Sequence, residues 1–189
     1  MTKRQATTFA SLILTIIMVA IAILQPKIAA PSQSTTPNPG FYTVVRDVDG
    51  DTIVVNMDGK DETVRFIGVD TPETHKPNTP VQCFGPQASN FTSTAVSGKT
   101  VRLAADPTND NRDKYGRLLR YVYLEDGSLL DQTLVEQGYG FAYISFPFQK
   151  KTDFIAAQTR AQSAKLGLWN ACQPYQEQDG RWQTQNESG

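Results

Sequence analysis

The chain has 189 residues, with 18 basic and 19 acidic side chains, one histidine and a net charge of -1. That length allows one domain of ordinary size. The near-neutral charge excludes a protein that grips nucleic acid through its global field, and a lone His75 excludes a two-histidine metal site or a histidine acid–base pair.

Lys3 and Arg4 precede an apolar run from Phe9 to Leu24 that only Ser11 and Thr15 interrupt. A basic flank followed by an apolar stretch is the pattern of an export segment. The run is short for a membrane span, which takes about 20 apolar residues. Ile28-Ala29-Ala30 is an approximate cleavage motif, so residues 1–30 read as a signal peptide or a signal anchor. Either way the protein is expected to be exported, as a secreted form or held on the outer membrane face by an uncleaved N-terminal segment. Residues 31–40 are rich in Pro, Ser and Thr and read as a flexible linker. Without Lys3, Arg4 and Lys27 the remainder carries 15 basic against 19 acidic residues, a net of -4. Any affinity for phosphate must therefore come from a local cluster.

The folded unit is expected over 41–172. Residues 41–48 are rich in β-branched and aromatic types and predict a strand, and Asp49-Gly50 predicts a turn. A second strand is expected over 52–57 and a third over 62–69, separated by Asp58-Gly59; together they form an antiparallel meander. Asp70 leaves the sheet, and Pro72, Pro77 and Pro80 keep the next stretch irregular. Gly85-Pro86 opens a helix with Ala88, Phe91 and Ala95 at helical spacing, ended by Gly98. Strands follow over 100–104 and 117–124, with a polar loop between them. A helix carries Leu130, Leu134 and Val135 and stops at Gly138. A short extended piece over 141–144 precedes a last helix over 153–165. Residues 173–189 read as a polar tail, ordered only if Tyr175 or Trp182 docks. Five strands with about three helices describe a mainly β, α+β architecture: a five-stranded OB-fold Greek-key barrel, whose face and loops bind nucleic acid.

Cys83 and Cys172 lie at opposite ends of this unit. Export permits a disulfide between them, and two separate buried thiols are the alternative.

Two acidic clusters carry the chemistry. Asp47, Asp49 and Asp51 sit at the first strand–turn–strand junction, in a loop too short for an EF-hand. Asp70-Thr71-Pro72-Glu73 follows the third strand. Asp51 and Asp70 can share a hard cation with a backbone carbonyl, such as that of Thr71. Pro72 stiffens the stretch and holds Glu73 nearby, where a carboxylate can take a proton from an attacking water. Arg65 and Arg117 each offer a planar fork to phosphate oxygens.

These residues fall in four motifs. Asp49-Gly-Asp-Thr52, Arg65-Phe-Ile-Gly-Val-Asp-Thr-Pro-Glu-Thr74, Gly85-Pro-Gln-Ala-Ser89 and Asp113-Lys-Tyr-Gly-Arg117 resemble the staphylococcal nuclease (thermonuclease) family, in order and at compatible spacing from about Tyr42 to Trp169. The resemblance implies an OB-fold barrel and a Ca²⁺-dependent endonuclease of the micrococcal type, acting on DNA and RNA and leaving 3′-phosphorylated products. It implies one Ca²⁺ held by Asp51, Asp70 and the Thr71 carbonyl, Glu73 as general base, and Arg65 and Arg117 on the scissile phosphate. Lys114 and Tyr115 would contact a nucleotide phosphate, and Tyr143 would line the nucleotide pocket. Ser145 stands where the family often has a second tyrosine; Phe146 beside it offers a stacking surface without the hydroxyl. No protein partner is implied, and a monomer is expected. The alternatives are a non-catalytic OB-fold module that binds nucleic acid at the cell surface, or a tethered structural domain. A pure binder has no use for a carboxylate cluster, which repels phosphate unless a cation intervenes.

Overall fold

The computed structural model describes residues 40–75 and 79–186. The expected export segment, the linker up to residue 39 and Pro77 lie outside the described residues.

Five strands close a barrel in the order β1-β2-β3-β6-β5. They are β1 (Phe41–Asp49), β2 (Thr52–Met57), β3 (Lys60–Phe66), β5 (Thr100–Ala104) and β6 (Leu118–Tyr123). β1, β2 and β3 form the expected antiparallel meander. β5 joins β1 and β6 antiparallel, and the parallel pairing of β3 with β6 completes closure. Closure leaves no unpaired sheet edge in the barrel. β1 shifts register twice against β2, between Val44 and Arg46 and between Asp47 and Asp49. The second irregularity lies at the first acidic cluster, and bulges re-aim side chains in this way beside active sites.

The third strand ends sooner than the apolar run suggests. Phe66 closes β3, Gly68 turns with φ +80°, and Val69–Asp70 forms a separate strand β4 paired with β7 (Phe141–Ala142). A side chain at Gly68 would press on the rings of Phe148 and Phe154. Tertiary packing, not local propensity, therefore makes the break.

Among the described residues, four helices cover the barrel. α1 (Gly85–Val96) buries Ala88, Thr92 and Val96, one helical turn apart. α2 (Leu130–Glu136) and α3 (Lys151–Ser163) pack together through Leu130, Leu134 and Val135 on one side and Phe154, Ala157 and Ala161 on the other. Each fully buried Leu or Phe stabilises the fold by about 1.5–3 kcal/mol. α4 (Leu168–Ala171) is a single short turn of helix. Between α3 and α4 the backbone runs directly against the end of α2: side chains at Gly138 and Gly167 would meet each other's neighbouring carbonyls, and Leu168 N–H donates to the Gly138 carbonyl at 2.8 Å.

The tail docks. Tyr175–Gln176 (β8) and Trp182–Gln183 (β9) form a hairpin. Trp182 stacks on Phe141 at 6.3 Å and meets Trp169 edge-on at 5.1 Å. Trp169 thus belongs to an aromatic cluster beneath the hairpin and not to a binding platform. Cys83 and Cys172 are disulfide-bonded, 89 residues apart in sequence.

Candidate active site

One cleft of about 800 Å³ opens where β1, β2, the β3–β4 turn and the 105–117 loop meet. Two local devices shape its floor. Gly50 passes so close to Thr71 that a side chain there would collide with it. α1 braces the same turn: Thr92 Oγ1 donates to the Gly50 carbonyl at 2.6 Å, and Ser93 Oγ donates to Asp47 at 3.1 Å.

Asp51 is buried and tied to the second acidic cluster. Its Oδ2 accepts from the Thr71 backbone N–H at 2.8 Å and from Thr71 Oγ1 at 3.1 Å, and its Oδ1 accepts from Thr52 Oγ1 at 3.2 Å. Asp49 Oδ1 accepts the Asp51 N–H at 3.1 Å. The Arg65 guanidinium is nearly enclosed. Its Nη1 donates to the carbonyls of Phe66 and Val69 at 2.9 and 2.8 Å. Its Nη2 lies between Asp70 Oδ1 at 2.8 Å and Asp51 Oδ2 at 3.1 Å. Both ends of the β3–β4 segment are therefore locked onto one cation.

Three carboxylates face that one guanidinium. Burial, reinforced by the Asp51 charge, lifts the Asp49 carboxyl to about 7. Desolvation by the cleft wall lifts Asp70 to about 6 against the pull of Arg65. Burial works against the Arg65 charge, but Asp51, Asp70 and Asp49 together hold its pKa above the ordinary value. The cleft thus carries more negative charge than Arg65 neutralises, and every anionic donor is an oxygen. Such a donor set fits a hard divalent cation. Among the described residues, no group of three or more His, Cys, Asp or Glu side chains is placed to hold a metal ion by itself, so backbone carbonyl and water oxygens would have to complete a shell.

Glu73 and Arg117 line the same cleft. The backbone around Glu73 is pinned by reciprocal bonds with Gln82, whose Oε1 accepts the Glu73 N–H at 2.7 Å and whose own N–H donates to the Glu73 carbonyl at 2.9 Å. Glu73 Oε1 accepts the N–H groups of Thr74 and His75. Arg117 is oriented by Asp113, which accepts from its Nε at 2.7 Å and from its backbone N–H at 2.9 Å. Both Nη atoms of Arg117 then remain without an acceptor among the described residues. Tyr115, 72% exposed, lies 5.4 Å from the Arg117 guanidinium and 5.0 Å from Lys114 Nζ.

A family model described as staphylococcal nuclease homologue matches residues 63–171. The chain is 47% identical to a thermonuclease of Staphylococcus intermedius over 129 residues, covering 68% of this chain and 75% of that protein. It is 40% identical to a thermonuclease of Staphylococcus hyicus over 164 residues, covering 83% and 95%. It is 45% identical to endonuclease YncB of Bacillus subtilis over 130 residues, covering 68% and 61%.

The chain belongs to the staphylococcal nuclease family.

The residues singled out from the sequence on this family's pattern gather in one place. Asp51, Arg65, Asp70, Thr71, Glu73, Lys114, Tyr115, Arg117 and Tyr143 all line the cleft. Phe146 lines it too, edge-on to Tyr143 at 5.1 Å, whereas Ser145 faces a small adjoining pocket. His75 is exposed and its Nδ1 lies 2.7 Å from Thr74 Oγ1. Among the residues that escaped the sequence reading, Arg112 and Arg181 line the cleft and Asp131 stands behind it. Arg112 bridges to Glu62 at 2.9 Å and lines the cleft mouth. Asp131 reaches the back of the β3–β4 turn from α2, its Oδ1 accepting the Ile67 N–H at 3.0 Å and its Oδ2 the Val122 N–H at 2.8 Å. Arg181 enters from the C-terminal hairpin, beyond the span of the family match. Only Arg112 had a signal, its closeness to the Asp113–Arg117 motif.

Proposed function

We propose that this protein is a calcium-dependent endonuclease that hydrolyses phosphodiester bonds of DNA and RNA and leaves 3′-phosphorylated products. Relatives named thermonuclease and endonuclease support the nuclease reading. The observation that carries it is the meeting in one cleft of two linked carboxylates, Asp51 and Asp70, a third carboxylate, Glu73, and two arginines.

Asp51, Asp70 and the Thr71 carbonyl would hold one Ca²⁺, with water completing the shell that a flexible oxygen site tolerates. When bound, the ion supplies positive charge that screens the carboxylates from the substrate and stabilises charge on the phosphoryl oxygens. Glu73, held by the Gln82 bonds, takes the proton of the attacking water. Arg65 is fixed beside the carboxylates before substrate arrives, so no ordering cost falls on its guanidinium during reaction. Arg117 keeps both Nη atoms for phosphate while Asp113 sets its plane, which suits bidentate contact. As the pentacoordinate phosphorus builds charge, the open Nη donors of Arg117 and the fixed charge of Arg65 stabilise it more than the ground state. Lys114 and Tyr115 would hold a flanking phosphate. Tyr143 and Phe146 would form an apolar wall for a base.

The basic-then-apolar N-terminus supports export to a calcium-rich compartment. A non-catalytic binding module would leave the carboxylate cluster without use.

The test is hydrolysis of single-stranded DNA by the purified protein, with calcium or with a chelator. Cleavage that needs calcium, and that falls by at least about a hundredfold in Glu73→Gln while oligonucleotide binding persists, is the expected outcome. Cleavage unaffected by chelator, or by Glu73→Gln, would refute the reading.

A further inference from the structure

The segment after Cys172 is built to stay in place. Asp179-Gly180 makes its turn, with Gly180 at φ +85° and the Glu177 N–H bonded to the Arg181 carbonyl at 2.8 Å. Its start is tied covalently through Cys172 to Cys83. Its end is tied to the same residue: Thr184 Oγ1 donates to the Cys83 carbonyl at 2.9 Å, and the Cys83 N–H donates to the Gln185 carbonyl at 2.8 Å. Between these anchors Trp182 is stacked on Phe141. A hairpin clamped at both ends holds its turn in a fixed position, and that turn borders the catalytic cleft.

Arg181 is the side chain this arrangement delivers. It lines the main cleft together with Asp70 and Tyr143, and it also lines the adjoining pocket with Asp70, Tyr143 and Ser145. Its plane is set by two neighbours. Nε donates to Asp179 Oδ2 at 2.6 Å and Nη2 donates to Glu177 Oε2 at 2.9 Å. Nη1 has no acceptor among the described residues. The guanidinium is therefore oriented on two corners and open on the third, as Arg117 is oriented by Asp113. It shares the cleft with Arg117 and Tyr115, and it is the only one of the three that also lines the adjoining pocket beside Tyr143.

We infer that Arg181 is a substrate-binding residue, contacting a phosphate of the polynucleotide strand that flanks the scissile one on the Tyr143 side. The inference rests on the proposed nuclease reading. The core up to Cys172 does not contain this contact; the hairpin adds it. It makes the site one for a polymer, because a substrate with a single phosphodiester has no phosphate to offer there. Glu177 and Asp179 outweigh the Arg181 charge, so the turn attracts phosphate only through the open corner of the guanidinium and adds little to non-specific attraction.

The experiment measures oligonucleotide binding against salt concentration, and KM and kcat in calcium, for the full chain and its variants. Arg181→Ala is expected to raise KM for a single-stranded oligonucleotide roughly 1.5- to 5-fold, the range of a partly exposed charged contact. It should lower the salt slope by about 0.7, one phosphate's worth on single strands, and change KM for the oligonucleotide more than kcat. Arg181→Lys should restore the salt slope. Glu177→Gln with Asp179→Asn should move the opposite way, tightening oligonucleotide binding and steepening the slope. A residue that merely clamps the hairpin predicts weaker binding from both changes. If Trp182 fluorescence shows that Arg181→Ala unseats the hairpin, the Glu177/Asp179 double variant decides: tighter binding supports the assignment, and equal or weaker binding overturns it. Wild-type protein that fails to cleave in calcium refutes the nuclease reading and the assignment with it. Wild-type cleavage with an unchanged Arg181→Ala slope overturns the assignment alone.

Discussion

Asp131 offers the sharpest test of how the cleft is held from behind. The residue is fully buried, and its two carboxylate oxygens each accept one backbone N–H, from Ile67 and Val122. Ile67 lies between Arg65 and Asp70, so this carboxylate fastens the β3–β4 turn to β6 and to α2. Replacing it with Ala takes this acceptor from the Val122 N–H, while the Ile67 N–H keeps the Arg120 carbonyl at 3.1 Å. One buried donor deprived of its acceptor costs about 1–3 kcal/mol, a large share of the 5–15 kcal/mol typical of a domain. Asp131→Asn keeps the shape but offers one acceptor oxygen, and its amide faces a second donor; the expected loss is about 1–3 kcal/mol.

Both variants remove a titrating group. Burial pushes the Asp131 carboxyl well above its ordinary value, more than its amide bonds and Arg65 pull it down. For an acid raised in the folded state, the native protein keeps a proton that the unfolded chain has released. Its contribution is therefore fully present below about pH 4 and is lost as pH rises through the folded value. Urea unfolding followed by tryptophan fluorescence, at intervals from pH 4 to 8, measures both effects. Asp131→Asn should flatten that part of the stability–pH curve relative to the wild type. An Asp131→Ala protein within 1 kcal/mol of the wild type, or an Asn variant with the wild-type slope, would refute the reasoning.

Two further predictions concern the cleft and the bridge. Arg117→Ala should reduce kcat by roughly 10²–10³ with a smaller effect on binding, because its open Nη atoms act on developing charge; Arg117→Lys should recover little, since lysine cannot offer a fork while bonded to Asp113. Near-wild-type kcat would make Arg117 structural. Replacing Cys83 and Cys172 with Ser should lower stability by about 4–5 kcal/mol on the chain-entropy relation for an 89-residue separation, read from urea unfolding with m fitted for each protein, since the freed unfolded chain exposes more surface; an unchanged stability would show that the docked hairpin carries that restraint without the bond.

Much of the fold was legible because local signals agreed. The strands over 52–57 and 100–104 came out at their observed limits, as β-branched runs bounded by Asp-Gly and Gly-Lys. α1 began at Gly85 as the Gly-Pro pair required. The third strand was drawn too long, through Val69, because Phe66-Ile-Gly-Val reads as one apolar run. What divides it is the packing of Gly68 against Phe148 and Phe154, residues 80 or more positions away. The parallel β3–β6 closure and the β4–β7 pair are likewise long-range and leave no periodic trace. At the cleft, the residues found were those in short motifs, where Asp-Gly-Asp and Asp-Thr-Pro-Glu combine turn chemistry with clustered charge. Asp131 was hidden because an acidic residue in a helix's first turn already has an ordinary explanation. Arg181 was hidden because only the disulfide and the Trp182 stack bring a polar tail back to the cleft.

The bridge also sets what a protease can do to this molecule. Tyr115 stands exposed on its loop, and a cut there falls between the two bonded cysteines. One piece then holds Asp51, Arg65, Asp70 and Glu73, and the other holds Arg117, Tyr143 and Arg181. Cys83 lies on the first piece and Cys172 on the second, so neither is released. A nicked molecule would run as one band until reduced, and its two halves would keep the closeness that lets a severed barrel re-form.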